Sequence, residues 1–497
     1  MTWRSRRKRS RDAVAPAVSL AARRRNGGRR PIVEVTLTAG IVAQATGGRL
    51  ESGDADARID GFSIDTRTLQ AGDLFFAIRG ERFDGTRFAE AALAAGACGI
   101  VADTSMPAAR ARGALAIVVS DVVAALQALA AHVRRASGAQ VVAITGSAGK
   151  TTTKEAAADV LEARYRVFRS RGNLNNHIGL PLSLLELRRG PDVAVVELAM
   201  NHAGEIRTLV GLAHPDVRVW TNVGDAHLGF FSSVEAIADA KAEVMEGADR
   251  QSVLVANAGD PRVMARAARF PGRVLTFAID KPADVSARAV RELGLDGSVA
   301  QVRAGLDEAE VQVPLPGRGN LENALAAMAV GLHFGVPLAE MRPRIAALRP
   351  ASHRGQIHRL AGGVTIVDDS YNANPTAVQQ ALAVLAHESR SARRIAVLGE
   401  MLELGEQAVP LHERCGRAAA ASQLSRLVAV GGEPARALAG AAIAAGMPPH
   451  DVTYAATSAE AADVVAALTR PGDLVLVKGS RGIGTEQVVK RLQAEFA

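Results

Sequence analysis

The sequence predicts an α/β protein of three domains: a small N-terminal α/β domain, a central P-loop-type parallel sheet, and a C-terminal Rossmann-like doubly wound sheet. Three observations carry this. A chain of 497 residues accommodates about three domains of roughly 150 residues. From residue 140 onward, short β-branched runs alternate with Ala-rich segments of helical composition. One such run, Val141-Val142-Ala143-Ile144-Thr145, passes directly into Gly146-Ser147-Ala148-Gly149-Lys150-Thr151-Thr152 and then a helix-forming stretch over 155–164. That is the order strand, phosphate loop, helix.

The elements follow in chain order. Residues 1–32 form a basic extension read as disordered, with the folded protein beginning near Val33. Residues 33–118 hold short elements: a strand over 73–78, a helix over 86–95 and a strand over 99–101. A helix over 122–136 leads into the central region, 119–347, whose strands are expected at 141–145, 194–198, 217–222, 253–256 and 274–278. The third region, 348–497, repeats the alternation with strands at 364–367, 395–398, 427–430 and 474–477. Arg349-Pro350 marks the expected hinge between the two.

Composition excludes several classes. The net charge of +8 is concentrated in residues 1–30, which hold eleven Lys/Arg and one acid, Asp12; the remainder carries 48 basic and 50 acidic residues. The folded body therefore offers no charge argument for nucleic acid. The extension is open to several readings: an RNA- or acidic-membrane-binding arm, a transit peptide, a solvated leader, or translation from a start codon placed too early. Cys98 and Cys415 are the only cysteines, which excludes a disulfide scaffold and a zinc cluster and fits a reducing cytoplasm. The best apolar run, 114–132, is broken by Asp121, so no membrane span is expected. Of 59 basic residues only seven are Lys, and Lys150, Lys154, Lys241 and Lys478 lie in or beside the motifs below. In a chain that uses Arg by default, Lys points to sites needing a compact charge or a primary amine.

The phosphate loop is the short form G-x-x-G-K-T. Its glycines let backbone N–H groups turn inward around phosphate oxygens, and the helix N-terminus adds its positive end. Lys150 reaches for terminal phosphates, and the Thr151 hydroxyl is a candidate Mg²⁺ ligand. The alternative, a glycine turn before an ordinary helix, is disfavoured because strand, Lys-Thr and helix fall in register. The strand over 194–198 ends in Glu197, and the next reaches Thr221-Asn222-Val223-Gly224-Asp225-Ala226-His227. A strand-end Glu or His is usually a cap or a satisfied polar group. Two in one sheet beside a phosphate loop instead suggest oxygen-rich metal ligation on the nucleotide crevice. Lys241, in Ile237-Ala238-Asp239-Ala240-Lys241-Ala242-Glu243, reads locally as a solvated helical lysine. Asp368-Asp369-Ser370-Tyr371-Asn372-Ala373-Asn374-Pro375 follows a buried strand and is either a turn with an Asn-Pro stop or a dense set of hydrogen-bonding groups at a strand's carboxyl end.

Taken together, these motifs resemble the Mur ligases of bacterial cell-wall synthesis over about residues 33–497. The resemblance rests on the phosphate loop and on Gly172-Asn173-Leu174-Asn175-Asn176-His177-Ile178-Gly179-Leu180-Pro181. It extends to the run 368–375, to Leu398-Gly399-Glu400-Met401-Leu402-Glu403-Leu404-Gly405 and to Lys478-Gly479-Ser480-Arg481-Gly482. The runs 368–375 and 398–405 look like the branch that adds D-alanyl-D-alanine. The resemblance implies an N-terminal domain holding a UDP-N-acetylmuramoyl-tripeptide through segments such as 63–67 and 80–85, a central domain binding ATP, and a third domain bringing D-alanyl-D-alanine. It implies catalytic roles for Lys150, Lys241 and His227, and Mg²⁺, with two ions expected, held by Thr151, Glu197 and His227. Lys241 is implied to be carbamylated, its added carboxylate-like group beside the second Mg²⁺; only a primary amine permits this. Nucleotide contacts are implied for the loop residues 146–152, for Asn320 and Asn323 around adenine, and for Arg354 and Asp369. A cytoplasmic monomer is expected.

The implied chemistry is activation of the tripeptide's terminal carboxylate as an acyl phosphate, which the dipeptide amine then attacks. Three positions depart from the family pattern: Thr86 and Gly319 stand where His is common, and Ala199 where Gly is. Thr86 bears on the UDP-substrate contacts and Gly319 on the adenine contacts. Rival readings are another amide ligase of the superfamily, adding a single amino acid or glutamate to folate, and a P-loop NTPase acting as a mechanical or regulatory switch.

Overall fold

The computed structural model describes residues 33–80, 83–225, 228–388, 390–391 and 393–497. His227, and Glu81 and Arg82 of the 80–85 segment, lie outside the described residues, as does the basic extension 1–32. The described chain divides into two compact units, one of residues 33–138 with Leu185–Gly190, the other of Ala139–Leu184 with Pro191–Ala497.

The first unit is built on a five-stranded sheet of β1 (Arg49–Ser52), β2 (Gly61–Ser63), β3 (Asp73–Phe76), β4 (Gly99–Ala102) and β5 (Leu115–Val118), in the order β1-β5-β4-β3-β2. Only β1 runs antiparallel to its neighbour. The helix expected over 86–95 begins as a 3₁₀ turn, Gly85–Phe88, because Asp84 caps it through the Thr86 N–H; the α-helix proper is Ala89–Ala94. Helix Val122–Ser137, capped by Asp121, also belongs to this unit.

The second unit carries two sheets. The larger contains β6 (Gln140–Thr145), β7 (Val167–Arg169), β8 (Val193–Glu197), β9 (Val217–Trp220), β10 (Val253–Asn257), β11 (Arg273–Ile279), β12 (Val285–Glu292), β13 (Ser298–Ala304) and β14 (Asp307–Val313). Their order is β14-β13-β12-β11-β10-β9-β6-β8-β7. The strand feeding the phosphate loop, β6, thus lies between β8 and β9, parallel to both. It is apolar on both faces because helices cover both: Val141, Val142, Ala143 and Ile144 are all fully buried. Two features escape the sequence reading. β7 is three residues long, and β12–β14 form an antiparallel extension whose strands alternate apolar with charged residues.

The smaller sheet contains β15 (Gln356–Arg359), β16 (Thr365–Asp369), β17 (Arg394–Gly399), β18 (Arg426–Val430), β19 (Val452–Ala455) and β20 (Leu474–Lys478), in the order β15-β16-β20-β17-β18-β19. All neighbours are parallel except β15 and β16, so the expected doubly wound sheet gains an antiparallel edge. The carboxyl ends of β16 and β20 adjoin, with Asp369 opposite Lys478.

Candidate active site

The site is assembled at the carboxyl ends of parallel strands. Helix Lys150–Leu161 starts directly after Gly149, five residues before the helix-forming run suggests, and no side chain caps it. Its first N–H groups are therefore available to an anionic ligand. The loop in front is held from behind by the end of β9. Asn222 Oδ1 accepts the Ala148 N–H (2.9 Å) and Thr221 Oγ1 donates to Ala148 O (2.7 Å). This explains why β9 stops at Trp220 rather than at Asn222: the next two side chains are turned into the loop. Ser147 Oγ bonds both the N–H and the carbonyl of Gly224.

The loop glycines are steric necessities. A Cβ on Gly146 would lie 1.9 Å from Thr221 Oγ1, and one on Gly149, where φ is +80°, would lie 2.1 Å from Asn323 Oδ1. Gly149→Ala is expected to destabilise the fold by about 1–3 kcal/mol and to weaken nucleotide binding, since both the left-handed backbone and the Asn323 side chain must give way. Denaturant unfolding with a parallel measurement of KM for ATP checks this; unchanged values in both would remove the steric argument.

Thr151 and Glu197 meet across the top of the sheet, Thr151 Oγ1 donating to Glu197 Oε2 at 2.8 Å. The other carboxylate oxygen, Oε1, accepts from Asn175 Nδ2 (2.9 Å). Lys150 Nζ folds back onto Gly146 O (2.9 Å). Burial lowers its pKa, Glu197 opposes that shift, and the charge of Arg354 adds to it. Asn323 braces the loop, accepting from Thr153 Oγ1 (3.2 Å) and donating to Asn320 Oδ1 (3.3 Å), while Asn320 Nδ2 donates to Pro316 O (2.8 Å).

Across a cavity of about 310 Å³, the smaller sheet contributes Arg354, Asp369, Tyr371 and Lys478. Lys478, 3% exposed, pairs with Asp369 Oδ2 at 2.6 Å and donates to Asn372 O (3.0 Å). The Arg354 guanidinium lies 4.1 Å from the Tyr371 ring centroid and that of Arg481 5.4 Å. Of the residues singled out from sequence, Ser147, Ala148, Gly149, Lys150, Thr151, Thr152, Glu197, Asn320, Asn323, Arg354 and Asp369 line this one cavity. Gly146 and Lys241 do not line it, and His227 is outside the described residues. Asn175, Gln380 and Lys478 line it without having been named as site residues, although Asn175 and Lys478 stand inside quoted motifs.

Lys241 is not the solvated lysine its local sequence suggests. It sits in the last turn of helix Val234–Ala242 and is 1% exposed. Burial drives its pKa well below the ordinary lysine range, and the nearby charge of Lys150 drives it further. Among the described residues no carboxylate offsets it.

A phosphate loop, a Thr–Glu pair beside it, and charged groups delivered from a second parallel sheet define an ATP-dependent ligase fold, and the chain belongs to the Mur ligase family. The Mur ligase middle domain matches residues 144–331, the Mur ligase glutamate ligase domain residues 353–481, and the Mur ligase family catalytic domain residues 58–134. Among its relatives, the UDP-N-acetylmuramoyl-tripeptide–D-alanyl-D-alanine ligase of Bacillus subtilis is 34% identical over 438 residues, covering 87% of this chain and 93% of the relative. The crystal structure of MurF from Acinetobacter baumannii aligns with a TM-score of 0.82 at 31% identity, covering 92% of this chain and 99% of that one. MurF ligase from Thermotoga maritima in complex with ADP aligns with a TM-score of 0.76 at 29% identity, covering 88% and 98%.

Proposed function

We propose that this protein joins D-alanyl-D-alanine to the terminal carboxylate of UDP-N-acetylmuramoyl-tripeptide, using ATP, in peptidoglycan precursor synthesis. The observation that carries the reading is the single cavity in which the phosphate loop and the Thr151–Glu197 pair face Arg354, Asp369 and Lys478 from the smaller sheet. Full-length relatives that carry the same activity in their names support the choice of substrates.

A carboxylate does not form an amide with an amine unaided. The tripeptide carboxylate oxygen attacks the γ-phosphorus of ATP, the bond to the β–γ bridging oxygen breaks, and ADP leaves. The amine of the dipeptide then attacks the acyl carbon, the C–O bond to phosphate breaks, and the amine proton is lost to the surroundings. Lys150 stabilises charge on the transferring group, and the uncapped helix N-terminus holds the phosphates. Arg354 and Asp369 contact the nucleotide from the smaller sheet, and Asn320 and Asn323 border its base.

Thr151 and Glu197 suit Mg²⁺: both donors are oxygens, and this ion takes few protein ligands and completes its shell with phosphate and water. His227 joins this set in the proposal, and a second ion belongs beside Lys241. Held by these residues, Mg²⁺ would supply positive charge against the negative charge that develops on the phosphates. The burial of Lys241 without an offsetting carboxylate supports its carbamylation. The neutral amine attacks CO₂, an N–C bond forms as one C–O π bond breaks, and a proton is released, so an uncharged buried amine becomes a carbamate anion. We take the enzyme to be a cytoplasmic monomer, where ATP and a nucleotide-linked precursor are at hand; no described helix is long and apolar enough to cross a membrane.

Phosphate release is expected to require ATP, UDP-N-acetylmuramoyl-tripeptide and D-alanyl-D-alanine together. A substrate-omission assay checks it. Equal turnover with free D-alanine, or with no amine, would overturn the choice of acceptor.

A further inference from the structure

Arg354 lines the cavity opposite the phosphate loop, and its charge reaches Lys150, which puts it on the phosphate side. Among the described residues its guanidinium has no hydrogen-bond or ion-pair partner; it rests on the Tyr371 ring, 4.1 Å from the centroid. Its direction is therefore set by the backbone that carries it and by the ring beneath it. That backbone is unusual, because Arg354 stands between two residues in the left-handed region, His353 with φ +60° and Gly355 with φ +75°. Glycine adopts that region freely, whereas a residue with a Cβ stays there only where its surroundings hold it. His353 is held by its side chain: Nδ1 lies 2.7 Å from Oδ2 of the buried Asp368, and since an ionised carboxylate only accepts, Nδ1 is the donor. The same carboxylate organises the turn after β16, where Oδ1 accepts from Ser370 Oγ (2.5 Å) and from the Ser370 N–H (3.2 Å). His358 on β15 also approaches Oδ2, with Nε2 at 3.8 Å. The His353 carbonyl joins the two turns by accepting the Tyr371 N–H (3.1 Å).

His353 thus serves Arg354 through three groups. Its left-handed φ aims the chain into Arg354. Its carbonyl fixes the Tyr371 backbone, and with it the ring on which the guanidinium rests. Its imidazole ties both turns to Asp368. We propose that His353, anchored by Asp368, is a positioning residue that presets Arg354 and Tyr371 as one unit for the phosphates of the bound nucleotide. This role rests on the nucleotide contact assigned to Arg354 above. The gain is entropic: a long guanidinium without hydrogen bonds samples many rotamers, and every rotamer lost on binding weakens affinity, so a side chain aimed beforehand binds more tightly. His353 itself does not line the cavity. Its substitution therefore reaches the nucleotide through Arg354.

The experiment measures, by calorimetry on the full-length protein, binding of the Mg²⁺ complex of adenylyl imidodiphosphate, a non-hydrolysable ATP analogue, with melting temperatures alongside. Arg354→Ala and His353→Gly are each expected to raise Kd by about tenfold. Glycine keeps the left-handed backbone and removes only the imidazole. His353→Asn is expected to stay within about twofold of wild type, because asparagine tolerates the left-handed region and sets its Nδ2 where the imidazole Nδ1 stood. The double variant Arg354→Ala with His353→Gly is expected to bind within about twofold of Arg354→Ala alone, since His353 acts through that side chain. Wild-type affinity in His353→Gly, with or without a fall in melting temperature, would make His353 a contact of the fold only and overturn the proposal. So would a double variant whose losses multiply, or a His353→Asn variant as weak as His353→Gly. A wild-type protein that does not bind the analogue would overturn the nucleotide site itself, and the role of His353 with it. Wild-type binding without amide formation would overturn the assigned reaction and leave the His353 result standing.

Discussion

Lys241→Arg is expected to lose amide-forming activity by about a hundredfold or more, although it keeps a positive charge and a long side chain. Lys241 is 1% exposed, and its ammonium form is disfavoured first by burial and then by the charge of Lys150. Burial at that position favours the free amine, which is the form that adds CO₂. Arginine stays protonated throughout the accessible range and cannot form the same carbamate. It also leaves two cations together in a buried place, which costs several kcal/mol when neither is paired. A loss from misfolding is separated from a loss of chemistry by Lys241→Met, which is neutral and of similar volume: it is expected to melt at or above the wild-type temperature and yet be inactive. Lys241→Ala is also expected to be inactive, with partial recovery on adding short carboxylates or bicarbonate that fill the vacated anion position.

The sign of the pH dependence follows from the direction of that shift. With the folded-state pKa lowered, the unfolded chain binds more protons between the folded value and the ordinary value of about 10.4. An unmodified Lys241 therefore subtracts stability at neutral pH and gives it back as pH rises through that window. In Lys241→Met this slope is expected to vanish. A solvated helical lysine would tolerate Arg and Met alike within about 0.5 kcal/mol and at unchanged rate, so wild-type turnover by Lys241→Arg rejects the carbamate.

Lys150→Ala is expected to lower kcat by about a hundredfold to a thousandfold while the melting temperature changes little. Among the described residues the side chain makes one hydrogen bond, to Gly146 O, worth roughly 1 kcal/mol. Its removal relieves the cost of burying the cation and its repulsion from Arg354, and gives up its attraction to Glu197. What is lost is the cation that faces charge building on the transferring phosphoryl group, so the defect belongs in the chemical step. Single-turnover phosphate release at saturating ATP measures it; near-normal kcat would take Lys150 out of the mechanism.

Much of the architecture was legible in the chain because it is written in local patterns. Unbroken β-branched runs such as 141–145 and 474–477 mark strands covered on both faces, and the structure covers both. The antiparallel strands β12–β14 were not legible, since Arg288, Arg291, Glu308 and Glu310 interrupt any apolar run and one face is wet. The helix start at Lys150 was hidden too. All of its first five residues are Thr or Lys, and their helical state follows from Gly149 and from the packing of Thr153 and Lys154 beneath the loop. Among the site residues, Asn323 shows the limit of motif reading: its side chain holds the phosphate loop by bonding Thr153, a role that spacing does not reveal.

By itself the sequence determined the α/β class, the position of the phosphate loop and the identity of its chemical groups. These depend on side-chain shape, backbone freedom at glycine and periodicity, all of which act over a few residues. Only the tertiary structure decided which groups meet. It brings Thr151 to Glu197 from 46 residues away, Asp369 to Lys478 from 109 and Asp225 to Arg414 from 189. It also takes Lys241 from an expected surface position into a buried one. Desolvation and proximity are properties of neighbours in space, and Ala238-Asp239-Ala240-Lys241-Ala242-Glu243 has the composition of a wet helix until the surrounding elements close over it.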